Sequence, residues 1–332
     1  MTIVNAIFSN FLAFIMCIVM TSFPYAGIEL PVIDNAKPDC QMTAELMSDV
    51  HIEKAELFRQ AFMKTGFRNI KNAKCDIDAV VISGDLTNYA DEPSLAKYYE
   101  IIKKYSPAPV ISAAGNHDIG HAGDRDVTDI SREEAMANFI RYNNEYMGTD
   151  NKNTYYSTEV NGYKFIVIGD ECINGGSFDH ISMTEEQMRF IDSELADGTK
   201  DGKPAFVICH WPVDNINGQD TIWPGCGINL SANDIKSVME KYNNVFYISG
   251  HMHAGIKSKA VEEYFGLSSC ERVNGVTYIS LPTYGIINIF GEPWSGIGMQ
   301  LEVYENEVIF RPRNFITNKW YTNSAYTFEL VK

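Results

Sequence analysis

The feature that most constrains the fold is a series of short apolar runs, each followed at once by a small polar motif. Five of the seven histidines lie in these motifs, beside Asp and Asn side chains. In chain order the motifs are Asp49-Val50-His51, Gly84-Asp85, Gly115-Asn116-His117-Asp118, His210 and Gly250-His251-Met252-His253. The runs are continuously apolar, which is typical of strands covered on both faces. A fold does not need polar groups at such positions, so they indicate a functional site.

Strands and helices alternate along the chain after residue 42. Asn161-Gly162 stands between two apolar runs and predicts a hairpin turn. Ser131, Thr184 and Ser231 are N-cap residues that open predicted helices, the first two within capping boxes. Two packed sheets with helices outside them would explain this α/β pattern. The predicted strands are 79–83, 109–112, 155–160, 163–168, 205–208, 245–248, 276–279, 299–305 and 308–311.

The N-terminal segment differs in composition from the rest of the 332-residue chain. We expect residues 1–27 to be a signal peptide or membrane anchor, 28–42 a connector, and 43–332 one catalytic domain. The apolar stretch 11–23 is shorter than the roughly 20 residues of a membrane-spanning helix. It is typical of a signal-peptide core, although no Lys or Arg precedes it. Export from the cytoplasm is therefore predicted, as a secreted or membrane-anchored protein.

Charge and cysteine content exclude some classes of function. A net charge of −16 disfavours nucleic acid polymers as partners, because like charges repel, but a local metal site could still bind a small phosphate. The seven cysteines form no CxxC pair, which argues against a thiolate zinc site or a redox motif. Six of them could form disulfides after export, with a pairing that the spacing does not determine. Cys209 is predicted to be a small buried hydrophobic residue.

The polar motifs are expected to meet at one place. Ligands at the carboxyl ends of neighbouring strands converge at one edge of an open α/β sheet. Asp49 and His51 are two positions apart, so in extended backbone both would point the same way, as would His251 and His253. These are nitrogen and oxygen ligands, which suit Mn, Fe, Zn or Co. The sequence therefore predicts a site for two metal ions that hydrolyses phosphate esters.

The five motifs, in this order over residues 49–253, resemble the motif set of the calcineurin-like metallophosphoesterase superfamily. The resemblance implies a four-layer α-β-β-α sandwich with two mixed β-sheets. It also implies two divalent or mixed-valence metal ions (Mn, Fe, Zn or Co) bridged by a hydroxide that attacks phosphorus. One ion would be held by Asp49, His51 and His253, the other by Asn116, His210 and His251, and Asp85 would bridge the two.

The resemblance also implies a role for the residues around His117. His117 would stabilise the transition state or protonate the leaving group, and Asp118 would orient its ring. Asp118, where other members carry Glu, is similar to the cyclic-nucleotide and glycerophosphodiester phosphodiesterases. Asn88 occupies the place of the metal-bound tyrosine of purple acid phosphatases, and Tyr89 is one residue too far, so we expect no ferric-tyrosinate enzyme. A phosphodiesterase acting on a small phosphate ester is expected. The alternatives are a phosphomonoesterase or nucleotidase and, from another class, a non-catalytic metal-binding scaffold.

Several residues outside the motifs stay open to two interpretations. His121 and His180 are expected in surface loops. Four aromatic residues could form an apolar wall for the leaving group or could pack in the core or an interface: Trp223, Tyr284, Phe290 and Trp294. Three acidic residues are expected in a solvated loop, with calcium binding as the alternative: Asp124, Asp126 and Asp129.

Overall fold

Two mixed β-sheets lie face to face, and helices cover the outer side of each sheet. This four-layer α-β-β-α arrangement is the one expected from the sequence. In this computed structural model the described residues are 38–73, 76–119, 121–122, 125–126, 130–171, 181–224, 227–228, 232–254, 256, 268–286, 288, 295–321 and 325–332. Among them, no helix is long and apolar enough to cross a membrane.

The strands and helices follow one another in the alternating order of the apolar runs. The strands are β1 (Met42–Met47), β2 (Ala79–Ser83), β3 (Val110–Ala113), β4 (His121–Ala122), β5 (Arg125–Asp126), β6 (Tyr156–Val160), β7 (Tyr163–Val167), β8 (Ala205–Ile208), β9 (Val245–Ser249), β10 (Cys270–Val273), β11 (Val276–Ser280), β12 (Ile297–Val303), β13 (Glu307–Asn314), β14 (Lys319–Trp320) and β15 (Tyr326–Glu329). The helices are α1 (Leu57–Asn72), α2 (Glu92–Tyr105), α3 (Arg132–Met147), α4 (Glu185–Gly198), α5 (Gln219–Ile222) and α6 (Ala232–Met239), with 3₁₀ turns at Asn116–Ile119 and Lys200–Gly202.

The two sheets differ in strand order but share a parallel centre. The first sheet has the order β14-β13-β12-β1-β2-β3, and β15 pairs with β13. Within it β1, β2 and β3 are parallel, whereas β12 is antiparallel to β1. The second sheet has the order β10-β11-β9-β8-β7-β6, with β7, β8, β9 and β11 parallel. The carboxyl ends of β1, β2, β3, β8 and β9 are the positions that the polar motifs follow.

The apolar residues of the strands are divided between two layers of core. Alternate residues of β1, such as Ala44 and Leu46, face Phe206 and Phe246 of the second sheet in a cluster between the sheets. The intervening strand residues pack against the helices, as Ile82 does with Phe67 of α1 and other residues of the outer cluster. Both faces of each central strand are therefore covered, which explains why the runs are continuously apolar.

Each of the nine predicted strands overlaps an observed strand, and the Asn161-Gly162 hairpin is confirmed between β6 and β7. The short strands β10, β14 and β15 were not expected, because their half-exposed, mixed sequences lack an apolar run. The Ser131 hydroxyl caps α3 by accepting the Glu134 amide at 3.2 Å. Ser231 lies outside the described residues, and α6 begins at the next position.

Helix α4 begins with a modified capping box. The Thr184 hydroxyl accepts the Gln187 amide at 3.1 Å, as the sequence predicts. The Gln187 side chain, however, bonds both backbone groups of Gly169 at 3.0 and 2.9 Å. The Thr184 amide donates to the Glu171 carboxylate at 2.6 Å instead. A loop after β7 is thereby fastened to the helix start.

Candidate metal centre

The polar motifs of both sheets meet where the carboxyl ends of their central strands adjoin. Asp49, Asp85 and Asn116 follow β1, β2 and β3 of the first sheet, and His210 and His251 follow β8 and β9 of the second. All five side chains are buried, with at most 3% of their surface exposed. The structure thus brings together residues that are separated by up to about two hundred positions in the sequence.

One group of ligand atoms is compact. The four side chains Asp49, His51, Asp85 and His253 each offer an atom, and these atoms all lie within 4.8 Å of one another. His253 Nε2 lies 3.0 Å from Asp49 Oδ1, and His51 Nε2 lies 3.6 Å from Asp85 Oδ2. His253 is 17% exposed, whereas the other three are almost fully buried, so the group opens to solvent beside His253.

A second group surrounds His210. Its Nε2 atom lies 3.1 Å from Asn116 Oδ1, 3.2 Å from His251 Nδ1 and 3.3 Å from Asp85 Oδ2. The other ring nitrogen, Nδ1, donates to the Ser83 carbonyl at 2.8 Å, which turns Nε2 towards the group. Asp85 Oδ2 is near both His51 and His210, so this carboxylate lies between the two groups.

The donor set fits metal ions. His51 is 2% exposed, yet neither of its ring nitrogens makes a hydrogen bond. A buried polar atom without a hydrogen-bond partner is costly, and coordination to a cation would satisfy one of these nitrogens. Carboxylate, amide and imidazole donors without thiolate suit Mn, Fe, Zn or Co.

Electrostatics hold several of these side chains in the protonation state that ligation requires. Burial lowers the pKa of His51 to about 3 and that of His251 to about 3, so both rings are neutral at pH 7. Burial raises the pKa of Asp49, but His253 and His210 outweigh it and bring that pKa to about 2. His210 is the exception: burial opposes a charge on this ring, yet Asp85 and Asp49 raise its pKa to about 9, so the ring must lose a proton to bind a metal ion.

The backbone that carries the ligands is not extended, which corrects the expectation from the two-residue spacings. Both residues of each spaced pair, and Asp85, have left-handed backbone with positive φ: Asp49 55°, His51 47°, Asp85 50°, His251 67° and His253 46°. Each such non-glycine residue costs on the order of 1 kcal/mol or more, so the surrounding structure must hold it in place. The side chains converge because the chain turns sharply at each ligand.

Backbone hydrogen bonds supply part of that constraint. The Asp49 amide donates to the Gly84 carbonyl at 3.1 Å, and the His51 amide donates to the Asp85 carbonyl at 2.9 Å. From the other side, the Thr283 hydroxyl and the Gly285 amide donate to the Asp49 carbonyl at 3.1 and 2.9 Å. Thr283 was missed by the sequence reasoning, because a lone threonine far along the chain carries no signal of this contact.

The partner of the His117 ring differs from the one expected. His117 Nδ1 donates to the Asn88 carbonyl at 2.8 Å, so Asn88, and not Asp118, orients the ring. The buried Asp118 carboxylate instead accepts the amides of Gly115, Leu86 and Thr87 at 2.8 to 3.0 Å. Burial and the nearby Asp85 raise the pKa of Asp118 to about 6, against these backbone hydrogen bonds. Asp118 therefore fastens together the two loops that carry Asp85 and Asn116.

The open interpretations are resolved in part. Tyr284 is a core residue, 1% exposed, whose hydroxyl donates to the Phe62 carbonyl at 3.0 Å. The half-buried Trp223 ring is parallel to the His251 ring, with centroids 6.0 Å apart.

The remaining predictions concern Tyr89, the cysteines and several loop residues. Tyr89 is 40% exposed. Cys209 is buried, as expected, and neither Cys40 nor Cys209 forms a disulfide in the described part of the chain. His121 and Asp126 were expected in loops, but their backbone forms the paired short strands β4 and β5, and their side chains are not described. The other predictions concern residues outside the described structure: His180, Phe290, Trp294, Asp124, Asp129, Cys17, Cys75, Cys172 and Cys226.

Comparison with solved structures identifies the same fold in other proteins. A dimetal phosphatase from Danio rerio superposes with a TM-score of 0.58 at 15% identity, covering 88% of this chain and 100% of that one. Purple acid phosphatase PPD1 from yellow lupin (Lupinus luteus) seeds also gives 0.58 at 15% identity, covering 87% of this chain and 53% of that one. This chain thus spans about half the length of the lupin protein.

Comparison at the level of sequence gives one family. Curated proteins yield no match. A family model described as calcineurin-like phosphoesterase matches residues 46–255, a span that contains all five polar motifs and more than half of the chain. This chain therefore belongs to the calcineurin-like phosphoesterase family.

Proposed function

We propose that this protein is a dinuclear metal-dependent hydrolase of phosphate esters, and that its preferred substrate is a small phosphodiester. In the proposed site Asp49, His51 and His253 would hold one ion, Asn116, His210 and His251 would hold the second, and Asp85 would serve both. The Danio rerio and lupin proteins of the same fold are a dimetal phosphatase and a purple acid phosphatase, which agrees with this reaction class.

The position of the Asp85 carboxylate is the main support for this proposal. The Asp85 carboxylate lies between two groups of ligand atoms, at 3.6 Å from His51 Nε2 and 3.3 Å from His210 Nε2. A carboxylate with nitrogen ligands on both sides is the arrangement that a bridging ligand requires. Two metal ions held in this way supply a nucleophile and stabilise the charge of the phosphoryl group.

The chain itself contributes the orientation and the proton. With Nδ1 donating to the Asn88 carbonyl, the Nε2 edge of His117 is the part of the ring left for the substrate. The His117 and His51 rings are perpendicular with centroids 4.7 Å apart, so His117 stands directly beside the first group of ligands. In that place its cationic form, which carries a proton on both nitrogens, can donate the Nε2 proton to the leaving oxygen or a hydrogen bond to the phosphoryl group.

Two features favour a small diester. Asp118 after Gly-Asn-His is similar to the cyclic-nucleotide and glycerophosphodiester phosphodiesterases. The net charge of −16 opposes the approach of long polyanions, which favours a small substrate. A phosphomonoesterase or nucleotidase is the alternative within the same fold.

The experiment is hydrolysis of bis(4-nitrophenyl) phosphate beside 4-nitrophenyl phosphate by metal-stripped protein, with Mn, Fe, Zn or Co added back. Asp85→Ala should reduce the activity to background. It should also reduce the amount of bound metal, because this carboxylate would serve both ions. Asp150→Ala is the control, since that carboxylate is 86% exposed on the surface. Metal content is measured by elemental analysis.

Each result has a defined meaning. Metal-dependent release from the diester, lost in Asp85→Ala and kept in Asp150→Ala, supports the proposal and names a working ion. Release from the monoester alone would make the protein a phosphomonoesterase. Unchanged metal content in Asp85→Ala would contradict the bridging role, and absence of bound metal in the wild type would favour a non-catalytic scaffold.

A further inference from the structure

The ring of His117 is held by the loop after β2, and a side chain outside that loop holds the loop in turn. The Asn88 carbonyl, which accepts from His117 Nδ1, belongs to the loop after β2. That loop leaves the sheet at the left-handed Asp85 and turns again at Ala90, which has a φ of 54°. Asn88 is half-buried and Tyr89 is exposed, so at this point the loop is not packed into the core.

The side chain that holds this loop is the Glu53 carboxylate, beside the candidate metal centre. The Asn88 side-chain amide donates to Glu53 Oε1 at 2.7 Å. Arg59 Nη1 donates to the same Glu53 oxygen at 3.2 Å and to the His51 carbonyl at 3.0 Å. A continuous set of hydrogen bonds thus joins the His51 backbone, through Arg59 and Glu53, to Asn88 and the His117 ring.

We propose that Glu53 and Arg59 are positioning residues that fix the His117 ring for proton donation to the leaving group. The inference rests on the proposed function, because it assumes that His117 acts on the substrate. Neither Glu53 nor Arg59 touches the metal-ligand side chains in the described hydrogen bonds. They act through Asn88 on His117 and through a carbonyl on the backbone of His51.

The physical reason lies in the geometry of proton transfer. A carbonyl can only accept, so its hydrogen bond requires Nδ1 to carry a proton. The ring donates from Nε2 only in its cationic form, in which both nitrogens carry a proton, and the Nε2 proton then passes to the leaving oxygen. Proton donation depends on the ring being held within hydrogen-bond reach of that oxygen. The side chains of Glu53 and Arg59 are 24% and 21% exposed, so their bonds add little to stability, but they limit the positions of the Asn88 carbonyl.

Glu56, a second carboxylate beside Arg59, provides a matched control for Glu53. Glu56 is the N-cap of α1, and its carboxylate lies 3.6 Å from Arg59 Nε, whereas Glu53 is bonded by Nη1 of the same guanidinium. No described hydrogen bond links Glu56 to Asn88. Neutralising Glu56 therefore changes the charge beside Arg59 but leaves the hydrogen bond between Asn88 and Glu53 in place.

The test compares diesters that share a phosphoryl group but differ in the leaving group. A 4-nitrophenolate departs without a proton, whereas an alkoxide needs one. In Glu53→Ala we expect kcat to fall about 10- to 100-fold for an alkyl leaving group and less than about threefold for 4-nitrophenyl, the range found when a supporting group is lost. His117→Ala should show the same dependence more strongly. Bound metal should be unchanged in both variants.

Conservative variants separate positioning from general stability. Glu53→Gln keeps an oxygen that can accept from Asn88 and should recover most of the alkyl-ester activity. Glu56→Gln should resemble the wild type with both leaving groups. Thermal unfolding of the four variants shows whether any of them is merely destabilised.

The outcomes distinguish this inference from the proposed function. If wild type hydrolyses no phosphate ester, the proposed function fails. If His117→Ala shows the leaving-group dependence and Glu53→Ala does not, this inference alone is overturned. An equal loss for both leaving groups in Glu53→Ala, or a loss of metal, would show a structural role and overturn it as well.

Discussion

At the scale of single residues, the site depends on close approach between backbone and ligands. Gly250 precedes His251, and a Cβ atom there would lie 1.8 Å from Ser48 Oγ and 2.7 Å from Asp49 Oδ2. Both of these side chains are fully buried. The glycine is therefore required by its neighbours, because the turn after β9 that carries His251 lies against the turn after β1 that carries Asp49.

Replacement of Gly250 should damage the site before it damages the fold. We expect Gly250→Ala to displace Asp49 and to weaken metal binding at least tenfold, with a loss of stability of about 1–3 kcal/mol from overpacking. Titration calorimetry with the working metal and urea unfolding measure the two effects. Adding Ser48→Ala to Gly250→Ala removes the hydroxyl that the new Cβ would meet, and this double variant should recover part of the metal affinity. A wild-type metal affinity in Gly250→Ala would contradict the prediction.

At the scale of elements, helix α4 is fastened to the second sheet through its first turn. Thr184 accepts the Gln187 amide and donates its own hydroxyl to Glu171 at 3.0 Å. Gln187 is fully buried and bonds both backbone groups of Gly169, just after β7. The same few residues therefore cap the helix and fix the loop that follows the strand.

The two predicted N-caps should differ in their contribution to stability. Thr184→Ala removes the cap and leaves the Glu171 carboxylate with one partner fewer, so we expect a loss of about 1–2 kcal/mol. Ser131→Ala removes an exposed cap that accepts the Glu134 amide, and we expect about 0.5–1 kcal/mol. Urea unfolding of both variants measures the difference. Equal losses would show that the contacts of Thr184 with Glu171 add nothing.

At the scale of the whole molecule, a buried ion pair joins the two ends of the described chain. Glu45 of β1 and Arg313 of β13 are both 0% exposed, and Arg313 Nη1 donates to Glu45 Oε1 at 2.8 Å. The second oxygen of Glu45 makes no hydrogen bond. Burial raises the pKa of Glu45 to about 7, although Arg313 and Arg311 oppose the shift. Folding therefore favours the protonated form of this carboxyl group.

Stability should depend on pH through this group. Between pH 4.5 and 7 the folded state holds a proton on Glu45 that the unfolded chain releases, so this contribution to stability is complete below about pH 4.5 and is lost as pH rises through 7. The expected difference is at most about 3 kcal/mol. Glu45→Gln should lack this dependence.

The comparison is made by urea unfolding of wild type and Glu45→Gln at pH 5, 7 and 8 with the same metal content. The free-energy difference between the two proteins should change with pH, because the other titrating groups are common to both. Glu305→Gln, at a position 76% exposed, is the control. Curves for wild type and Glu45→Gln that stay parallel over this range would contradict the prediction.

Much of the architecture could be predicted because it is encoded locally. Continuous apolar runs predicted β2, β7, β8 and β9, and the polar residues that end the runs predicted which side chains would meet. The family match and the two-sheet fold confirm the predicted architecture. The domain boundaries, the roles of the site residues and export stay predictions, the last because residues 1–37 lie outside the described structure.

The amino-acid sequence alone thus identifies the ligand candidates and the strands that they follow, because a strand buried on both faces has a continuously apolar composition. The left-handed backbone at Asp49 and the choice of Asn88 as partner of the His117 ring depend on how the chain packs. The same packing produces the contacts of Thr283 with Asp49 and of Arg313 with Glu45, across 234 and 268 positions. Such contacts depend on strand order and on which chain segments pack at the sheet edge, and no local pattern records that order.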